Sequence, residues 1–187
     1  MKVFFHSSIF AKQKYEESYK AIVNTCKKSG HIVFSDHMLK RTYHDTDKFS
    51  REKHEADFQR LTQQIKESDV TIVEGTAPSI GTGHYMTIAL GYLKPVLVLY
   101  QKRPHGVLVG DPNRLLVLKK YNLGDRGDLE NKIKLFLKNA DDKKLKNRFN
   151  LMLDNQMVSF LENKSSELQT SKADVVRKLI TQEIDKH

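Results

Sequence analysis

Cysteine is almost absent: among 187 residues only Cys26 is one. A single thiol excludes an internal disulfide framework and a zinc site built on cysteines. Set mid-helix among apolar neighbours, Cys26 reads as a small buried hydrophobe. No apolar run approaches the roughly 18 residues that span a membrane, so no membrane partner is expected. The opening residues, MKVFFHSSIF, lack the apolar h-region and cleavage site of a secretory signal and read as a first strand. A cytoplasmic location is the expectation. Metal-ligand spacing is missing as well. His31, His37, His44 and His54 accompany Asp36, Asp45 and Asp47, yet no HxxxH or HxH spacing occurs, so a solvated polar loop is expected, with no metal and no cofactor.

Positive charge is what the chain has in excess. Thirty-two Lys and Arg against 23 Asp and Glu leave a formal net charge of +9, which points to an anionic partner. Composition alone does not separate a nucleotide from nucleic acid. Residues 138–148, KNADDKKLKNR, follow a clear amphipathic helix and read as a basic junction, with a linker over 141–147 between a domain over 1–140 and a segment over 148–187.

The periodicity predicts strands over 2–6, 31–34, 70–73, 95–100 and 114–119, and helices over 15–29, 49–67, 83–93 and 129–139. Gly30 is placed to end the first helix. Residues 36–50 show no period and read as a long polar loop. Alternating helices and continuous apolar strands predict an α/β fold, a mainly parallel Rossmann-like (flavodoxin-like) sheet covered on both faces. Ligands bind such sheets beyond the carboxyl ends of the strands. Three loops converge there: His6-Ser7-Ser8, Ser35-Asp36-His37, and 74–83 with its glycines.

Three motifs, FFHSSI, HEADF and PSIGTGHYMTIALGYLKPVLVLY, carry a resemblance over residues 2–138. This stretch resembles the nucleoside 2-deoxyribosyltransferase superfamily, especially its 2'-deoxynucleoside 5'-phosphate N-hydrolase branch. The resemblance implies a nucleoside or nucleoside monophosphate as ligand and retaining glycoside chemistry at C1', with a carboxylate nucleophile and an assisting aspartate. It sets Ser8 and Ile9 on the family's GSI, with Ser7 in place of the glycine and Phe10 in place of a phosphate-clamping arginine. Asp57 falls on the assisting aspartate. Ser79, Gly81 and Gly83 fall on the phosphate-cradling loop, with His6 and His84 beside the ligand. The nucleophile position is Tyr85, a phenol in place of a glutamate. His84, Asp57 and Glu74 are the candidate bases for activating it.

The last forty residues change character. Phe149, Leu151 and Leu153 alternate with Arg148, Asn150 and Met152 as in a strand. Helices follow over 155–168 and from Ser171, whose spacing to Asp174 is an acidic capping box. One strand and two short helices cannot bury a core alone, which predicts a homodimer or a higher even oligomer. The layout resembles ribbon-helix-helix repressors. That resemblance implies double-stranded DNA as partner, Arg148, Asn150 and Met152 facing the major groove, and Ser171 and Lys172 at the phosphates. Three readings stay open: a ligand-responsive DNA-binding regulator without catalytic power, an active N-glycosidase or deoxyribosyltransferase with an oligomerising arm, and an interaction module with a vestigial pocket.

Overall fold

The computed structural model describes residues 1–103, 106–142 and 151–186. The chain divides into two compact units, Met1–Lys144 and Leu145–His187.

The first unit is a five-stranded parallel sheet in the order β2-β1-β3-β4-β5. Its strands are β1 (Lys2–Ser7), β2 (Ile32–Phe34), β3 (Val70–Glu74), β4 (Val96–Tyr100) and β5 (Leu116–Lys120). The alternation of side chains along each strand builds two cores. Val3 and Phe5 of β1, Ile72 of β3 and Leu97 of β4 face α1 (Lys12–Lys28) and α7 (Arg126–Asp142), where Tyr19, Ile22, Cys26 and Ile133 complete the packing. Phe4, Val73 and Val98 face the opposite way, against Leu61 and Ile65 of α4 (Arg51–Glu67) and Ala89 of α5 (Ile80–Gly91). Cys26 is 1% exposed, as its neighbours lead one to expect. Gly30, with φ of 81°, ends α1 in a conformation that favours glycine.

Three expectations need correction. Residues 36–50 are not a structureless loop: α2 (Asp36–Leu39) and α3 (Tyr43–Asp47) lie there, each too short to show a period. Thr42 and Asp45 close a capping box at the start of α3. The helix expected over 83–93 begins at Ile80, because Ser79 caps it by accepting the Thr82 N–H. Gly81 and Gly83 therefore lie in the first turn of a helix and not in a loop before it. Finally, α7 runs through Asp142, so the linker expected over 141–147 cannot begin at 141; its residues 143–147 lie outside the described ones. A short helix, α6 (Gly106–Val109), interrupts the loop after β4.

The second unit contains α8 (Asn155–Glu167) and α9 (Lys172–Ile184), capped by Asp154 and Ser171. Among its described hydrophobic side chains, Leu161 and Val175 are buried, while Phe160, Leu179 and Ile184 stay exposed. Residues 151–154 make no strand within the chain, and Arg148, Phe149 and Asn150 lie outside the described residues. No helix among the described residues is long and apolar enough to cross a membrane.

Candidate functional site

The strand order reverses between β1 and β3, which makes their carboxyl ends the expected place for a ligand. Alternation splits the polar residues there into two assemblies, one on each face of the sheet.

On the α4/α5 face, His6 points the same way as Phe4. His37, the first histidine beyond β2, stacks on Phe4 with centroids 5.1 Å apart and brings Nε2 to 3.1 Å from His6 Nδ1. His37 is 5% exposed, so it is a buried partner of the site and not part of a solvated loop. Burial lowers the His6 pKa to about 4 and takes His37 well below the ordinary value, with help from the charges of Arg60 and Arg41. Tyr85, one turn into α5, meets His6 edge-on at 4.7 Å and lies 6.1 Å from the Phe58 ring. His84 is exposed and stacks on Phe58 at 5.8 Å. Burial first, and then the Asp57 charge, push the Tyr85 phenol up to about 12.

Asp57 is clamped. Arg41 Nη1 donates to both of its carboxylate oxygens at 2.9 Å, and Arg60 Nη2 donates to Oδ1 at 2.7 Å. Burial acts to raise the Asp57 pKa, but the arginine hydrogen bonds and charges outweigh it and hold the carboxyl below its ordinary value. Arg41 is in turn fixed by Lys12, whose ammonium donates to the carbonyls of Leu39 at 2.8 Å and Arg41 at 2.5 Å.

On the α1/α7 face, Ser7 and Glu74 belong to a separate network. Ser7 Oγ donates to the Glu74 carbonyl at 2.8 Å. Glu74 Oε1 accepts from the Thr76 N–H, the Thr76 hydroxyl and the Tyr121 hydroxyl, the last at 3.1 Å. Gln101 Nε2 donates to Tyr121 and to Ser18, joining β5 to α1. Glu74 is fully buried, and burial raises its pKa against the lowering effect of these donors. Glu74 therefore ties the end of β1 to the segments after β3 and β5, and its place on the α1/α7 face turns it away from Tyr85.

The expected site residues thus separate. His6, Asp57, Tyr85 and His84 come together around one aromatic wall. Ser7 and Ser8 are 1% exposed, with the Ser8 carbonyl accepting from Tyr19 at 2.9 Å, and Ile9 packs against the core. Ser79 caps α5, while a Cβ on Gly83 would meet open space. The buried Thr82 hydroxyl beside them has no hydrogen-bond partner. His37 was expected only as part of a loop at the pocket, and Arg41 and Arg60 were not expected there at all. Arg60 follows Asp57 by one turn on α4, whereas tertiary structure alone brings in Arg41, which lies between α2 and α3 and 16 residues before Asp57. Among the described residues no cluster of three metal-ligating side chains occurs.

A parallel sheet with its polar groups gathered beside a helix N-terminus at the switch point is the arrangement of a nucleotide-handling α/β protein. Comparison with known proteins narrows the class. No family model matches the chain. A protein of Syntrophotalea carbinolica assigned as a 2'-deoxynucleoside 5'-phosphate N-hydrolase is 31% identical over 100 residues, covering 54% of this chain and 68% of the relative. A Methanosarcina barkeri protein assigned likewise is 29% identical over 122 residues, covering 64% of this chain and 76% of the relative. The chain belongs to the 2'-deoxynucleoside 5'-phosphate N-hydrolase family. It also shares its fold with the 2-deoxyribosyltransferase of Bacillus psychrosaccharolyticus, at a TM-score of 0.53 and 20% identity over 70% of this chain and 91% of that one.

Proposed function

We propose that the α/β unit binds a deoxynucleoside or its 5'-monophosphate at the β1–β3 edge and turns it over slowly or not at all. The observation that carries this reading is the state of Tyr85 and Asp57. By the resemblance, Tyr85 stands at the position of the family's glutamate nucleophile. With its pKa pushed up to about 12, about one phenol in 10⁵ is ionised at neutral pH, so the hydroxyl acts as a hydrogen-bond donor. Asp57 has both oxygens held by arginines and is a weak base for activating it. Asp57 and Tyr85 then orient base and sugar. Ser79 and the first-turn amide at Gly81 receive the phosphate end, while the Gly83 amide already donates to the Ser79 carbonyl and contributes only the open space a side chain would fill.

The C-terminal unit is read as one half of a ribbon-helix-helix dimer. A groove of about 410 Å³ lies open between its elements, lined by Leu151, Leu153, Met157, Phe160, Val176 and Leu179 among others. The segment that lines it carries Met152, 95% exposed, on its other side, as a pairing strand would. DNA contact by Arg148, Asn150 and Met152 follows from the same reading. Ser171 and Lys172 fit it less directly: the Ser171 hydroxyl caps α9 and Lys172 donates to Glu162 at 2.6 Å. The dimer would couple ligand binding to DNA binding, and a lone buried thiol suits a reducing, cytoplasmic setting.

The relatives' assignment as N-hydrolases favours a second reading, an active N-glycosidase with an assembling C-terminal arm. Release of free base from the four 2'-deoxynucleosides and their 5'-monophosphates distinguishes the two. Wild-type protein should release little base, and Tyr85→Glu should gain turnover. Robust wild-type hydrolysis that Tyr85→Phe abolishes would establish a tyrosine nucleophile and the second reading.

A further inference from the structure

Asp57 is held by more positive charge than it can neutralise. Arg41 and Arg60 both converge on this one carboxylate, and Lys12 lies beneath, with its ammonium on the carbonyls of Leu39 and Arg41. Lys12 is 8% exposed, and among the described residues no carboxylate lies within salt-bridge distance of it. Neighbouring carboxylates are engaged elsewhere: Asp36 with Lys40, Asp45 with Thr42, and Glu55 with Arg51. The imidazoles of His6 and His37 are neutral. Two guanidiniums thus face one carboxylate on a half-buried wall, with the Lys12 ammonium held close to Arg41, and a second anion would relieve that imbalance.

Arg41 is the cation built to meet that anion. Lys12 fixes its backbone carbonyl, so any movement is confined to the side chain. Its guanidinium lies between Asp57 and the Phe49 ring, 5.3 Å from the centroid, and its side chain is 28% exposed. Arg60 is the more exposed of the two, at 40%, but reaches Asp57 from three residues along the same helix and holds one oxygen only. Loss of Arg41 would therefore uncover the second carboxylate oxygen, while Arg60 would keep the group ionised.

Building on the nucleotide-binding reading above, we propose that Arg41 is a positioning residue that passes from Asp57 to the phosphate of the ligand, so that phosphate binding uncovers an Asp57 oxygen for the base or sugar. The unliganded site is closed by its own arginine. A nucleoside without a phosphate leaves that closure in place, whereas a monophosphate opens it.

The test follows the Asp57 carboxyl by ¹³C NMR titration in full-length protein, alone and with saturating 2'-deoxynucleosides or their 5'-monophosphates. Calorimetry supplies the affinities. In wild-type protein the monophosphate should raise the Asp57 midpoint, and the nucleoside should leave it close to the unliganded value. Arg41→Met should raise the midpoint without ligand, remove the further monophosphate effect, and weaken monophosphate binding about tenfold or more. Nucleoside binding should change by less than about threefold, as expected for one lost charge-assisted contact. Arg41→Lys, which keeps the charge, should hold the fold and weaken monophosphate binding by less than Arg41→Met. A wild-type monophosphate complex with an unmoved Asp57 midpoint, or equal weakening of both ligands by Arg41→Met, would overturn the exchange and leave nucleotide binding standing. Failure of wild-type protein to bind either ligand form would overturn the nucleotide-binding reading itself.

Discussion

Nδ1 of His6 and Nε2 of His37 face each other across 3.1 Å, between rings that stack at 5.3 Å, and that contact holds one proton. One imidazole donates and the other accepts, so protonating both would set two like charges against each other in a buried site.

Acid should therefore unfold the α/β unit early. The folded-state pKa of His6, at about 4, lies below the ordinary 6.5, so the unfolded chain binds the proton first. Stability is full above the ordinary value and falls as pH drops from 6.5 toward 4, by about 1.4 kcal/mol per pH unit for each fully coupled histidine. His37 adds in the same direction. Asp57, held low, contributes only at more acid pH, as its carboxyl protonates below the ordinary 3.8. Thermal melts between pH 7 and 4 should show this slope, and His6→Asn should flatten it. A melting temperature independent of pH over that range would remove the buried neutral pair.

Glu74 should show the opposite sign. Its raised pKa means that the folded state favours the protonated acid, so its contribution is present below the unfolded pKa and is lost as pH rises through the folded one. Glu74→Gln keeps an acceptor for Thr76 and Tyr121 and removes the buried charge. The variant should therefore match or exceed wild-type stability at neutral pH. Glu74→Ala leaves the Tyr121 and Thr76 donors without an acceptor and should cost about 1–3 kcal/mol for each one that water cannot reach. Denaturant midpoints of the two variants at pH 7 and pH 5 check both signs.

Two glycines near the site should respond differently to a side chain. A Cβ on Gly75 would sit 2.8 Å from Val98 Cγ1, so Gly75→Ala should destabilise the sheet by about 1–3 kcal/mol. A Cβ on Gly81 would meet only Ser79 Oγ, at 3.9 Å. Gly81→Val should therefore leave an intact sheet while crowding the helix start where the ligand's phosphate is placed. Wild-type protein should gain more melting temperature from monophosphates than from nucleosides, and Gly81→Val should lose that difference. Equal gains in both proteins would place the phosphate elsewhere.

The C-terminal groove should be an assembly surface. Met157→Glu or Phe160→Glu, which sets a charge in the groove without touching the buried Leu161, should lower the oligomeric state seen by light scattering. If the dimer holds DNA, retention should fall steeply with salt as counterions are released. Arg148→Ala should then reduce discrimination between sequences, whereas Lys172→Ala should weaken all sequences alike. A full-length protein that stays oligomeric but ignores duplex DNA at low ionic strength would limit this unit to assembly.

Much of the α/β unit was legible because its strands are short, continuous apolar runs between helical periods. The cap at Ser171 was readable for the same local reason: the hydrogen bond that forms it spans three residues. What escaped depended on distance along the chain or on brevity. The helices α2 and α3 are too short to repeat a pattern, and the glycines of 81–83 argued against a helix that the Ser79 cap nevertheless starts. Asp57 and Tyr85 could be picked out by resemblance. Nothing in the local sequence, though, marked His37 as buried or Arg41 as the partner of Asp57. The separation of Ser7 and Glu74 from Tyr85 onto opposite sheet faces follows from strand alternation, once the register is known.

Cys26 lies 1% exposed beneath the sheet, and burial pushes its thiol up to about 12. In the folded protein it is therefore nearly inert toward maleimides and other thiol reagents. A cysteine introduced at an exposed position such as Lys186 would be the one fast-reacting thiol in the chain. Dye or spin labels attached there would then test directly whether two copies pair, without first deleting a native residue from the core.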